Sequence, residues 1–134
     1  MLVVSNTSPI LNLAIIGQLE LLRQQFGEVL IPSVVREELR PEEELPGARE
    51  VQSALQAGWL RVLDPRNAEV VQTLRLELDQ GEAAAIALAL EVKPEFILMD
   101  ESDGRAKARC LLQIPVEHFP FFLFAPLRSV RLGL

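Results

Sequence analysis

Short apolar runs recur along the chain, and they constrain its fold more than any other feature. They are Leu2–Val4, Val29–Ile31, Trp59–Leu63 and Phe96–Met99, and Ile114–Val116 is a further candidate. Most are rich in β-branched residues or alternate in polarity, and polar or turn-forming residues stop them, as Asp and Pro do at positions 64 and 65. Such runs are typical of strands in a largely buried sheet.

Helical spacing of apolar residues fills the segments between these runs. Ser8 is predicted to cap the first helix, with Pro9 at its first position and Gly17 dividing the stretch that follows into two helices. Further helices are expected from Pro32-Ser33 through Leu39 with Pro41 closing it, through Val51 and Leu55 to Gly58, through Val70 to Leu78, from Asp79–Glu82 to about Val92 and at Ser102–Leu112. Strands separated by helices predict an α/β domain in which helices cover a parallel sheet, with three layers, α/β/α.

Length and composition favour a single soluble domain. The chain has 134 residues, of which 49% are hydrophobic, within the usual domain range of roughly 100–150 residues. Cys110 is the only cysteine, which excludes an internal disulfide framework and suits a reducing, cytoplasmic setting. No apolar run approaches the roughly 20 residues of a membrane span, and no signal peptide is visible, so no membrane association is expected.

The charge balance is acidic, with 19 acidic against 13 basic residues and a net charge of −6. Broad electrostatic capture of nucleic acid needs basic residues at the phosphates, so this balance argues against it. An enzyme that gathers carboxylates around a metal ion is still compatible with the composition.

Several polar and acidic residues are predicted to meet at one edge of the sheet. Asn6 follows the first strand and Asp100 the fourth, and ligands of parallel sheets bind beyond the carboxyl ends of the strands. Glu38 and Glu82 are expected in the N-terminal halves of helices that can present a carboxylate to the same crevice. Oxygen ligands of this kind suit Mg²⁺.

Four segments stand in order along the chain: VVSNTSPILNLAIIGQLELL, VLIPSVVREEL, LDQGEAAAIALAL and ILMDESDGRAKA. Together they resemble the successive landmarks of PIN-domain proteins, and most closely the subfamily of toxin-like ribonucleases that opens with a SNTSP or SDTSP motif. Each motif is loose by itself, but four in this order are fairly specific. The resemblance covers about Leu2 to Val116 and implies one PIN-like domain over residues 1–134.

The resemblance implies a metal-dependent endoribonuclease, similar to the toxin halves of bacterial and archaeal toxin–antitoxin pairs, which hydrolyses RNA with metal-activated water. The four acids of the family fall on Asn6, Glu38, Glu82 and Asp100, which would hold Mg²⁺ or Mn²⁺, the last three as catalytic carboxylates. Glu37 is an alternative to Glu38, because the register is open by one residue. RNA, a small antitoxin protein and a second copy of the chain are the partners implied.

Further site residues follow from the same resemblance. Asp103 is a candidate auxiliary metal ligand, and the hydroxyls of Thr7 and Ser8 match positions that line the site in the family. Arg105 is a candidate contact for RNA phosphates, although a solvated helix face is the more common use of such a residue.

Two departures from the family pattern bear on these expectations. Asn6 offers a neutral oxygen where most PIN nucleases have a carboxylate, so the affinity for Mg²⁺ or Mn²⁺ should be lower. Residues 117–134 read EHFPFFLFAPLRSVRLGL where the family continues with a glycine-bearing turn and a helical stretch. We expect a divergent or truncated C-terminal segment there.

Simpler interpretations stand beside the functional ones. Asp79 and Glu82 have the spacing of a capping box, and taken alone Glu82 is better explained as its partner than as a ligand. Asp100 is also able to cap the helix that follows it. Asn6 and the acidic balance support an alternative function, a catalytically degenerate PIN domain that binds RNA or a protein partner.

Overall fold

The computed structural model describes residues 1–99 and the backbone of Val116–Glu117. Its elements are β1 (Leu2–Ser5), α1 (Thr7–Ile15), α2 (Glu20–Phe26), β2 (Glu28–Ile31), α3 (Ser33–Leu39), α4 (Ala48–Ala57), β3 (Leu60–Val62), α5 (Ala68–Leu74), α6 (Gln80–Val92), β4 (Phe96–Leu98) and β5 (Val116–Glu117). The alternation of strands and helices confirms the predicted fold class.

The described strands form one sheet in the order β3-β2-β1-β4-β5, and every pair is parallel. The chain steps outward from β1 to β3 and then returns to place β4 on the other side of β1. The strand order therefore reverses between β1 and β4, the position where sheets of this type bind ligands. Ser5 pairs with Leu98 there, and the backbone N–H of Asn6 donates to the carbonyl oxygen of Leu98 at 3.2 Å.

Side chains alternate between two apolar cores, one on each face of the sheet. Val3 belongs to the core under α1–α4, whereas Val4 belongs to the core under α5 and α6. Phe96 and Ile97 divide in the same way. Because successive residues of a strand point to opposite faces, this division confirms a three-layer α/β/α domain.

Helix α6 is the most buried helix among the described elements. Its residues from Gly81 to Ala89 are all buried, as the alanine-rich and apolar sequence predicts. Glu82 is the charged residue of that stretch, and only 6% of its surface is exposed.

Several predicted boundaries need correction. Helix α1 begins at Thr7 with Asn6 in the capping position, so the prediction of Ser8 as the cap is wrong. Pro9 is in the first turn but not at its first position; the missing N–H has no cost there, since the first-turn N–H groups have no intrahelical partner. Helix α5 ends at Leu74 rather than near Leu78.

Other predictions concern the chain after residue 99, where the structure describes only the backbone of Val116–Glu117. The strand expected at Ile114–Val116 is represented by the bridge at Val116–Glu117. The helix expected at Ser102–Leu112, the lone Cys110 and residues 118–134 lie outside the described residues. Within the described part, no helix combines the length and apolar character that a bilayer crossing requires.

Candidate metal centre

Asn6 stands at the carboxyl end of β1 and at the start of α1, yet its side chain makes no capping hydrogen bond. The residue is 4% exposed. Its Oδ1 atom is buried, and no described residue donates a hydrogen bond to it. A buried amide oxygen without a donor is costly, by about 1–3 kcal/mol, so this atom is suited to accept a ligand.

Glu38 reaches the same edge from α3. Its Oε1 atom accepts a hydrogen bond from the Thr7 hydroxyl at 3.1 Å, across 31 positions of sequence. The expectation that Glu38 lies in the N-terminal half of its helix is wrong, because α3 ends at Leu39 and Glu38 is in its last turn. The preceding residue, Glu37, is exposed, and Glu38 is the member of the pair that contacts Thr7.

Gly81 brings α6 against the same carboxylate. A Cβ atom added at Gly81 would lie 2.7 Å from Glu38 Oε1, which is closer than real Cβ atoms approach other atoms. The Glu38 carboxylate therefore lies between Thr7 of α1 and the bare backbone of α6. This contact joins helices from opposite faces of the sheet above its carboxyl edge.

Glu82 follows Gly81 and completes a capping box with Asp79. The Glu82 N–H donates to Asp79 Oδ1 at 2.8 Å, and the Asp79 N–H donates to Glu82 Oε1 at 3.4 Å. The capping interpretation of the sequence is thus confirmed. It leaves the site interpretation open, because Oε1 serves the cap whereas Oε2 is a second, buried oxygen.

The structure therefore brings Glu38 into contact with Thr7, the neighbour of Asn6, and against Gly81, the neighbour of Glu82. Ser8 is half-buried in the first turn of α1. The remaining candidates, Asp100, Asp103 and Arg105, lie outside the described residues. Among the described residues, no group of three or more histidine, cysteine or acidic side chains is arranged to hold a metal ion.

Gly81 is the residue of this region that sequence reasoning missed. The signal available was a glycine in the first turn of a helix otherwise rich in alanine and leucine. Glycine destabilises a helix relative to alanine, so helix propensity does not explain a glycine at this position.

The donor atoms fit a hard divalent cation. Asn6 Oδ1 is a buried and unsatisfied amide oxygen, and Glu38 and Glu82 supply carboxylate oxygens. Mg²⁺ and Mn²⁺ prefer ligands of this kind, whereas softer metals prefer the sulfur and imidazole ligands that are absent from these residues. Position 82 also lies in the first turn of α6, where the helix dipole favours negative charge.

An ion pair and a concavity on the surface of the domain are separate from Asn6, Glu38 and Glu82. The Arg36 side chain donates to Glu42 and holds the pKa of that exposed carboxyl below its ordinary value. A concavity of about 640 Å³ lies between the loop from Pro41 to Gly47 and the start of α4. None of Asn6, Glu38 or Glu82 lines it.

A doubly wound parallel sheet with oxygen donors at its switch point defines the class of α/β proteins that bind ligands at the carboxyl edge. A family model described as PIN domain matches residues 2–116, and the chain belongs to this family. Membership indicates nuclease-type activity, and PIN domains generally use divalent metals. No curated protein matched the chain in a sequence comparison.

Proposed function

We propose that this protein is a divalent-metal-dependent endoribonuclease and the toxin component of a toxin–antitoxin pair. The observation that carries the proposal is the buried, unsatisfied Oδ1 of Asn6 at the switch point of the sheet. Two contacts of Glu38 support it, one with Thr7, which follows Asn6, and one with Gly81, which precedes Glu82. The resemblance of the SNTSP opening to toxin-like ribonucleases supports the choice of RNA as substrate.

The proposed ligands are far apart in the sequence. Asn6, Glu38 and Glu82 would hold the cation, and the resemblance adds Asp100 with Asp103 as an auxiliary ligand. The chemistry that these residues would gain from bound Mg²⁺ or Mn²⁺ is a nucleophilic water at neutral pH and compensation of negative charge on the phosphodiester. Because the protein ligands include one amide, they place less negative charge on the cation than four carboxylates would.

The other residues orient these ligands or the substrate. The Thr7 hydroxyl donates to Glu38 and so fixes the direction of that carboxylate, which is a more specific role than lining the site. Ser8 in the first turn of α1 and Arg105 are proposed to contact the RNA backbone. Asp79 holds the start of α6 through the capping box and thereby fixes Glu82.

The biological context of the proposal comes from the subfamily resemblance. The partners would be a small antitoxin that covers the acidic edge and a second copy of the chain, in the cytoplasm. Size-exclusion chromatography with light scattering tests the dimer directly, since a monomeric mass at micromolar concentration would contradict it.

One observation favours a second candidate function. Asn6 replaces the first acid of the family, and this removes one charge from a site built to hold a cation. A PIN domain that no longer cleaves would instead act as a binding module for RNA or for a protein partner. The two candidates differ in whether the native residues bind a divalent cation.

Calorimetric titration of Mn²⁺ into the full chain separates these candidates. The chain offers a matched pair of variants, Glu38→Gln and Glu37→Gln, which remove the same charge from adjacent positions. We expect saturable binding in the native protein, a loss in Glu38→Gln and no change in Glu37→Gln. Absence of binding up to millimolar Mn²⁺ would reject the enzyme and favour the binding module.

Cleavage itself is best measured on a circular RNA, which only an endonuclease opens. We expect linear product with Mn²⁺ or Mg²⁺, no product with chelator, and no product from Asp100→Asn or Glu82→Gln. Activity that survives both substitutions would remove these carboxylates from the mechanism.

A further inference from the structure

Gly81 is a glycine whose presence the backbone does not explain. The other four glycines of the described chain, at positions 17, 27, 47 and 58, have positive φ angles that disfavour larger residues. Gly81 instead has ordinary helical geometry as the second residue of α6. Alanine would be the better helix former at such a position, and alanine follows at positions 83, 84 and 85.

The space above Gly81 supplies the explanation. An added Cβ would lie 2.7 Å from Glu38 Oε1, 3.7 Å from Glu38 Cδ and 3.7 Å from Asp79 Oδ1. Only the first of these distances is a collision. The Glu38 carboxylate therefore occupies the space that a side chain at position 81 would need.

The same oxygen of Glu38 is also held by a hydrogen bond. Thr7 donates to Glu38 Oε1 at 3.1 Å, so Oε1 lies between a donor on α1 and the backbone of α6. Glu38 is otherwise exposed, and few contacts restrict a side chain of this length. The Glu38 carboxylate is therefore held at Oε1 by the Thr7 hydroxyl while it lies against the α6 backbone.

We infer that Gly81 is a positioning residue, which lets the Glu38 carboxylate take the place in which it would bind a divalent cation. The inference rests on the proposed function for its metal and on the contact with Glu38 for its geometry. Gly81 itself contributes no ligand; it acts through Glu38.

A methyl group at this position should disturb the site and spare the fold. The atom that it meets is the end of an exposed, flexible side chain, so Glu38 swings away at little cost. The helix gains from the replacement of glycine by alanine. The prediction is therefore a loss of metal affinity without a loss of stability, which a purely structural role would not produce.

The experiment compares Gly81→Ala with Gln80→Ala, a neighbouring exposed position of the same helix turn. Calorimetry with Mn²⁺ should show affinity reduced about tenfold in Gly81→Ala, as is typical when a residue that orients a ligand is changed. Gln80→Ala should bind like the native protein. The melting temperature of metal-free Gly81→Ala should be unchanged or higher by about 2–3 °C.

A double-mutant cycle tests the route through Glu38. Glu38→Asp shortens the side chain by one methylene, which withdraws the carboxylate from the added Cβ. In that background Gly81→Ala should change the Mn²⁺ affinity by less than about twofold. Equal losses in both backgrounds, or native affinity in Gly81→Ala, would overturn the inference.

A metal-free measurement keeps this inference distinct from the proposed function. The carboxyl ¹³C signal of Glu38 should shift in Gly81→Ala and stay in place in Gln80→Ala, since only the first substitution moves the group. Native protein that binds no Mn²⁺ would overturn the proposed function alone. An unmoved Glu38 signal in Gly81→Ala would overturn the inference alone.

Discussion

Two asparagines occupy the same position at the start of a helix and behave differently. Asn67 precedes α5, and its Oδ1 accepts hydrogen bonds from the N–H groups of Glu69 and Val70 at 3.1 and 3.2 Å. Asn6 precedes α1, makes no capping bond and keeps its Oδ1 buried without a donor among the described residues. Asn67 is exposed, whereas Asn6 lies at the switch point of the sheet.

The difference shows that an asparagine at the start of a helix does not necessarily cap that helix. A capping bond is worth about 1 kcal/mol, and an unsatisfied buried acceptor costs about 1–3 kcal/mol. Asn6 lacks the stabilisation of a capping bond and carries the cost of a buried acceptor without a donor among the described residues. Asn67 has the capping bonds and no such cost. Local stability given up in this way is typical of functional sites, where a ligand completes the arrangement.

At the start of α6, Glu82 is both a capping residue and a proposed metal ligand. Its substitution is expected to change the metal affinity more than any other variant described below. Glu82→Gln removes the negative charge but keeps an oxygen for the capping box, in which glutamine is as suitable as glutamate. We expect Mn²⁺ affinity to fall about a hundredfold, because one charge beside a dication is worth a few kcal/mol at an effective dielectric constant of about 20. Calorimetry measures the affinity, and thermal denaturation of the metal-free protein should show little change.

Asp79→Ala is the matched control, since it removes the cap and keeps the Glu82 carboxylate. It should lower the free energy of unfolding by about 1 kcal/mol. The Mn²⁺ affinity should change far less than in Glu82→Gln. If both variants lose stability alike and neither changes the affinity, Glu82 is a capping residue only.

An intermediate effect is expected when Asn6 is converted to a carboxylate, with the same change at Asn67 as the control. Asn6→Asp adds a buried negative charge, so the metal-free protein should be less stable. Mn²⁺ should bind about tenfold more tightly and restore that stability. Asn67→Asp, at an exposed cap, should change neither property.

Calorimetry and melting temperatures with and without Mn²⁺ measure both asparagine variants. Mn²⁺ binding that occurs only in Asn6→Asp would identify the native protein as a degenerate copy of the enzyme. Equal responses of Asn6→Asp and Asn67→Asp would contradict the proposed difference between the two positions.

The smallest effect concerns stability alone. Asn67→Ala should destabilise the metal-free protein by about 1 kcal/mol, since two N–H groups lose their acceptor. Asn6→Ala should be neutral or slightly stabilising, because it deletes an unsatisfied acceptor and breaks no capping bond. Urea denaturation of the two variants measures the contrast, and an equal loss in both would show that Asn6 does act as a cap.

Much of the fold was predictable because the relevant signals are local. The apolar runs at Leu2–Val4 and Val29–Ile31 became strands, and Gly17 divides α1 from α2 as predicted, with a φ angle of +74°. The start of α1 was misplaced, since Asn6, Thr7 and Ser8 are all good capping residues and the sequence does not rank them. Residues 100, 103 and 105 carry predictions that stay predictions.

The sequence by itself determined the α/β class and the parallel three-layer arrangement, since periodicity and turn chemistry act over a few residues; the candidate acids stay predictions that rest on the predicted strand ends and on the family resemblance. Only the tertiary structure decided that Glu38 rather than Glu37 meets Thr7, that Asn6 leaves its oxygen uncapped, and that Gly81 makes room for a carboxylate. The two contacts of Glu38 join residues 31 or more positions apart in the chain. Their geometry depends on how the helices pack across the edge of the sheet, which no local pattern encodes.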